Sequence, residues 1–175
     1  SRVQADFKAG AAVVDVTPEK LPVIVNGGMT SRSIEKIKTR VFARAVVLAD
    51  EQTQVAIVVV DSCMIGKGLL DDIKSLAKIK TGIATDRILI SATHAHSAPS
   101  AMACLGTDAD ENYLPLLRER IVAVIAEAQK RLQPAEIGFG RTVAPEFTAL
   151  RQWIRRDCCA RPKPFRCQCS KVAEP

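Results

Sequence analysis

Histidine is scarce in this chain: two residues in 175, His94 and His96. Any imidazole-based metal or acid–base centre must therefore draw on this pair. Six cysteines are present, yet none forms the Cys-x-x-Cys unit on which zinc ribbons and fingers are built. No apolar run approaches the roughly 20 residues of a membrane-spanning helix, and that over residues 55–60 ends at Asp61. Internal repeats and low-complexity segments are absent, which excludes solenoids and arrays. The sequence starts at Ser1 without a basic and apolar leader, so a targeting peptide is expected to have been removed or never included.

What remains is an ordinary globular composition, 47% hydrophobic and 25% charged, at a length that fits one domain with a real core. The net charge of +6 is unevenly placed. From residue 151 onward seven basic residues face two acidic ones, whereas residues 1–150 carry eighteen against seventeen. The basicity thus belongs to a tail, which also holds Cys158, Cys159, Cys167 and Cys169. Only Trp153 and Phe165 accompany its arginines as stacking groups, so a solvated basic tail is the expectation and a nucleic-acid module is not. The organisation read from this is an α/β domain over residues 1–150 and an irregular Cys- and Arg-rich tail over 151–175.

Along the chain, residues 7–16 read as a first strand, with Val13, Val14 and Val16 as β-formers and Gly10 as a bulge. A short extended run at 21–25 leads to Asn26-Gly27-Gly28, a turn that either closes a plain loop or lets backbone approach a ligand. Residues 31–39 are polar and exposed. Runs 41–48 and 54–60, separated by a polar insert, predict an antiparallel hairpin whose second strand is buried on both faces. Leu69, Ile73, Leu76 and Ala77 give residues 67–80 the stripe of an amphipathic helix, which Gly82 stops. The next apolar run, 88–90, completes a βαβ unit. A long helix to about Leu132 follows, capped by Asp110 or Asn112, and residues 135–143 return as a strand alternating Ile137, Phe139 and Thr142. The fold class is α/β: a mixed β-sheet with helices packed on it.

The chemistry sits in residues 88–99, ILISATHAHSAP. On an extended strand residues at i and i+2 face the same way, so His94 and His96 can converge on one ion. Neutral imidazole suits zinc, with its second ring nitrogen oriented by a partner, for which Asp61, Ser62, Thr93 and Ser97 are candidates. A structural, hydrogen-bonded pair is the alternative. A strand end in an open α/β sheet is where ligands bind, which favours the metal. Asp61, closing a buried strand, is read first as the cap of the next helix, with metal contact as the alternative. Cys63 and Cys104 are read as buried thiols, a disulfide between them having no spacing argument.

Residues 9–18 (AGAAVVDVTP), 43–48 (ARAVVL), 58–62 (VVVDS), 90–99 (ISATHAHSAP) and 134–140 (PAEIGFG) resemble, in that order and spacing, the N-terminal part of the neutral/alkaline non-lysosomal ceramidase family. The resemblance covers about residues 7–150. It implies a zinc-dependent amidase in which Zn2+ activates water for attack on the amide of an N-acyl sphingoid base, a ceramide-like lipid. Carried over by motif, His94 is the zinc ligand and His96 the auxiliary residue near the reacting groups. Arg151 stands where the family has a catalytic arginine, although Leu150 precedes it here rather than another member of the family's Asn-Arg-Arg context. The family's remaining ligands, a histidine, a glutamate and a tyrosine, lie further along than this chain extends. The expectation is a truncated member, its residues after Trp153 derived from a frameshift or early termination, located in the secreted or periplasmic space. Two function classes follow: a ceramidase-type hydrolase incomplete in this chain, or a non-catalytic domain that keeps the scaffold and binds a partner or lipid surface. Peripheral membrane contact is compatible with either, though no separate amphipathic anchor is present.

Overall fold

The computed structural model describes residues 7–147, and the tail with Arg151 and the four clustered cysteines lies outside them. The chain divides into two compact units, residues 1–137 and 138–175. In the second unit the one regular element among the described residues is a short 3-10 turn, Pro145–Phe147.

In the first unit the strands are β1 (Lys8–Asp15), β2 (Val23–Val25), β3 (Arg32–Ile34), β4 (Phe42–Ala49), β5 (Gln54–Val60), β6 (Ile88–Ala92) and β7 (Gln133–Pro134). The helices are α1 (Lys67–Thr81) and α2 (Leu114–Lys130). Five strands form one sheet in the order β6-β5-β4-β1-β7, and β2 pairs with β3 in a small second sheet. β4 and β5 form the expected hairpin from Ala43 opposite Val60 to Ala49 opposite Gln54. β6 runs parallel to β5, so β5-α1-β6 is the βαβ unit. α1 ends where Gly82, at φ 76°, caps the Lys78 carbonyl from the left-handed region that glycine enters without steric cost.

One face of the sheet is covered. α2 lies over β1, β4 and β5 and packs against α1. Its Leu117, Ile121 and Ile125 are fully buried against Ala12, Ala45, Val47 and Val58, each large side chain stabilising the fold by about 1.5–3 kcal/mol. Gly10 is no bulge, since the β1–β4 register runs unbroken through Gly10 opposite Val47. Its role is close packing: a Cβ there would stand 2.1 Å from the Ala128 carbonyl oxygen at the end of α2. Tyr113, just before α2, is buried and donates its hydroxyl to the Val16 carbonyl at 2.8 Å. Burial, and secondarily the charge of Asp15, pushes its phenol above the usual range.

Several sequence expectations are corrected. β5 is buried on one face only: Ala56, Val58 and Val60 are inside, while Ile57 and Val59 are exposed, because both helices lie on the same side. Residues 31–39 contain a strand, β3, which forms by pairing with β2 rather than by its own hydrophobicity. Residues 135–143 do not form a strand. β7 stops at Pro134, and Ile137 and Phe139 are 78% and 98% exposed; Gly138 and Gly140 interrupt the alternation with no side chain to pack. Cys63 and Cys104 are free thiols, the first buried and the second half-buried.

Candidate metal centre

The two histidines lie just past the carboxyl end of β6, as the strand-end argument requires. Strand alternation is not what brings them together. β6 ends at Ala92, and His94 has φ 62° and Ser97 φ 95°, both in the left-handed region. Residues other than glycine rarely adopt it, at a cost of order 1–3 kcal/mol each, and such outliers gather at functional sites. The bent segment is held by backbone hydrogen bonds: Thr93 N–H to the Val60 carbonyl at 2.9 Å and Ala95 N–H to the Ser62 carbonyl at 3.1 Å.

The bend sets the imidazoles edge to face, 4.8 Å between centroids, with the His94 and His96 Nε2 atoms 3.2 Å apart. Two nitrogens each about 2.0–2.1 Å from a tetrahedral zinc ion are separated by roughly 3.3 Å. The pair therefore matches the spacing of two ligands on one ion. His94 Nδ1 lies 2.9 Å from the Cys63 carbonyl oxygen. With Nδ1–H donating to that carbonyl, Nε2 carries the free lone pair, the tautomer a ligand needs. Both rings are exposed, so an ion has access.

None of the four expected partners orients a ring. Asp61 accepts the Phe42 backbone N–H at 3.0 Å and the Arg44 guanidinium at 3.0 Å, which ties it to β4; it neither caps α1, whose N-cap is Gly66, nor reaches the histidines. Ser62 donates to the Met64 carbonyl, Ser97 accepts from Arg32, and no Thr93 side-chain hydrogen bond occurs among the described residues. The orienting group is a main-chain carbonyl, and the side-chain sequence carries no signal for one.

Cys63 completes a group of three candidate ligands whose donor atoms lie within 4.8 Å of one another. Its sulfur stands 3.7 Å from His94 Nδ1, the nitrogen already engaged by the carbonyl, rather than beside the Nε2 pair. Burial, with Cys104 as a lesser contributor, pushes its thiol up. The two donors already at the spacing of ligands on one ion are the His94 and His96 Nε2 atoms.

The Asn26-Gly27 turn packs against the other side. Gly27 has φ 102°, and a Cβ on it would lie 2.6 Å from His96 Cα and 2.7 Å from His96 Cβ and Cγ. The close approach legible in the glycine pair is to a histidine rather than to a ligand.

Residues 7–151 match the family described as neutral/alkaline non-lysosomal ceramidase, N-terminal. The neutral ceramidases of Drosophila pseudoobscura pseudoobscura and Drosophila melanogaster are each 35% identical to the chain, over 54% and 55% of its length. The matched stretch spans 14% of each relative. The crystal structure of neutral ceramidase from Pseudomonas aeruginosa superposes with a TM-score of 0.65 at 24% identity, covering 75% of this chain and 22% of that one, a likeness of fold. With the match extending over most of its length, this chain belongs to the neutral/alkaline non-lysosomal ceramidase family and represents that family's N-terminal region.

Proposed function

We propose that this chain supplies the zinc-holding part of a hydrolase that cleaves the amide bond of an N-acyl sphingoid lipid of the ceramide type. The observation that carries the reading is the 3.2 Å separation of the His94 and His96 Nε2 atoms, with His94 Nδ1 anchored on the Cys63 carbonyl. Family membership supplies the reaction class, since the curated relatives are named as neutral ceramidases.

A zinc ion in such a site supplies Lewis acidity, making a water acidic near neutral pH and polarising an amide carbonyl. The chain's own part is to hold and orient. His94 presents Nε2 because its other nitrogen is committed, and His96 presents a second Nε2 from across the bend. The catalytic contribution of His96 is then to fix the ion's position. Arg151 is proposed as a further catalytic group on the family resemblance alone. Catalytic zinc ordinarily takes three protein ligands, so turnover needs at least one more, from sequence outside the described residues. A secreted or periplasmic location accompanies this reading.

Elemental analysis after zinc loading and dialysis tests the site. One zinc per chain, lost in His94→Ala, is the expected result, and a metal-free wild-type chain would refute the reading. Hydrolysis of a fluorescent N-acyl sphingosine, by the chain alone and by a full-length family protein carrying its His94 and His96 segment, then tests the chemistry.

A further inference from the structure

We infer that Asn26 and Gly27 are positioning residues for the metal site, forming a fixed wall against which His96 is set. The inference deepens the zinc reading and rests on it.

Asn26 is 1% exposed, and its polar atoms are all engaged. Its backbone N–H donates to the Ala98 carbonyl at 3.0 Å, and its carbonyl accepts the Ser97 N–H at 2.8 Å. Its side-chain amide donates to the Met102 carbonyl at 2.9 Å and to Ser100 Oγ at 3.3 Å. Its side-chain oxygen accepts the Gly27 N–H at 2.8 Å, closing the turn on itself. A single buried residue thus ties the end of β2 to both the histidine bend and the loop after it. A bridge between Val25 and Pro99 continues the same seam.

Gly27 then brings backbone against His96 where a side chain has no room. The clash a Cβ would make includes His96 Cα, a backbone atom that cannot swing aside. His96 is exposed, and among the described residues its ring makes a hydrogen bond with His94 alone, so the Gly27 backbone is the fixed surface against which it stands. Gly28 provides an internal control, because a Cβ there meets nothing nearer than 3.5 Å.

Zinc titration of the full chain by calorimetry, with the His94 and His96 Cε1–H resonances followed by NMR, tests this. Gly27→Ala is expected to weaken zinc binding about 10–100-fold, the usual effect of losing a group that orients a ligand. In that variant the His96 resonance ceases to respond to zinc while the His94 resonance still does. Gly28→Ala is expected to match wild type. In a His96→Ala background the Gly27→Ala change is expected to cost no further affinity, because it acts through His96. Should Gly27→Ala fail to fold, Asn26→Ser, which shortens the clamp, carries the same expectation for the folded protein. Wild-type affinity with a responsive His96 resonance in the folded variant overturns this inference and leaves the zinc reading standing. Absence of zinc binding by the unaltered chain overturns both.

Discussion

The two faces of the five-stranded sheet are built from similar side chains and have opposite fates. Toward α2 point Ala12, Ala45, Val47, Ala56, Val58 and Ile90, all buried. Away from it point Val13, Val46, Ile57, Val59 and Leu89, all exposed, with Val13 and Leu89 the most open at 63% and 58%. The register makes these neighbours: Val46 stands opposite Ile57, and Ile57 opposite Leu89. Polar groups fence this apolar band, with Arg44 paired to Asp61 and Arg40 to Asp15. Hydrophobicity alone therefore does not decide which side of a strand becomes core; the placement of the helices does. An apolar band of adjacent side chains is uncommon on the surface of a monomer. It lies on a chain that spans 22% of the Pseudomonas aeruginosa ceramidase whose fold it shares.

The sharpest way to break the comparison is a charge on adjacent residues of β5. Val58→Asp buries an unpaired carboxylate and is expected to leave the chain unfolded, a loss of more than about 4 kcal/mol. Val59→Asp, one residue on and facing outward, is expected to cost about 1 kcal/mol or less in urea unfolding. Equal losses would mean that the outer face is covered in solution.

Gly10→Ala probes the covered face more gently. The added methyl meets the end of α2, and overpacking of this kind costs about 1–3 kcal/mol, read as a lower denaturation midpoint with an unchanged slope. A neutral result would show that α2 can slide on the sheet.

The smallest effect belongs to the polar fence. Hydrogen bonds from Thr17, through its side chain and then its backbone N–H, hold the Asp15 carboxyl at about 2 against an ordinary 3.8, with Arg40 assisting. A depressed folded value means that the contribution is fully present above the ordinary carboxyl range and is lost as pH falls through about 2. Asp15→Asn is expected to lower stability slightly at neutral pH, the two profiles converging as pH falls through about 2, so that the acid limb is flattened.

Local patterns are legible in the sequence wherever the chain's own chemistry decides conformation. The stripe of Ile73 and Ala77 with Gly82 behind it specifies α1, and the apolar runs around the polar insert specify the β4–β5 hairpin. The candidate site is legible as a pair of residues at a strand end. Its geometry is not, because the left-handed turns at His94 and Ser97 are imposed by contacts with Asn26, Ser62 and Val60, distant in sequence. β3 is invisible for the same reason: Arg32, Ser33 and Ile34 are a strand only because β2 lies beside them. Asp61 reads as a helix cap because sequence distance favours α1, whereas Arg44 is nearer in space.

By itself, the sequence determined the α/β class, the βαβ unit, the family and the two imidazoles available to a metal, since these follow from periodicity, turn residues and ordered motifs. Only the tertiary structure decided which face of β5 is core, which carbonyl selects the His94 tautomer, and that Gly27 makes room for His96. Each of those depends on atoms brought together across dozens of residues, and no local propensity encodes such a meeting.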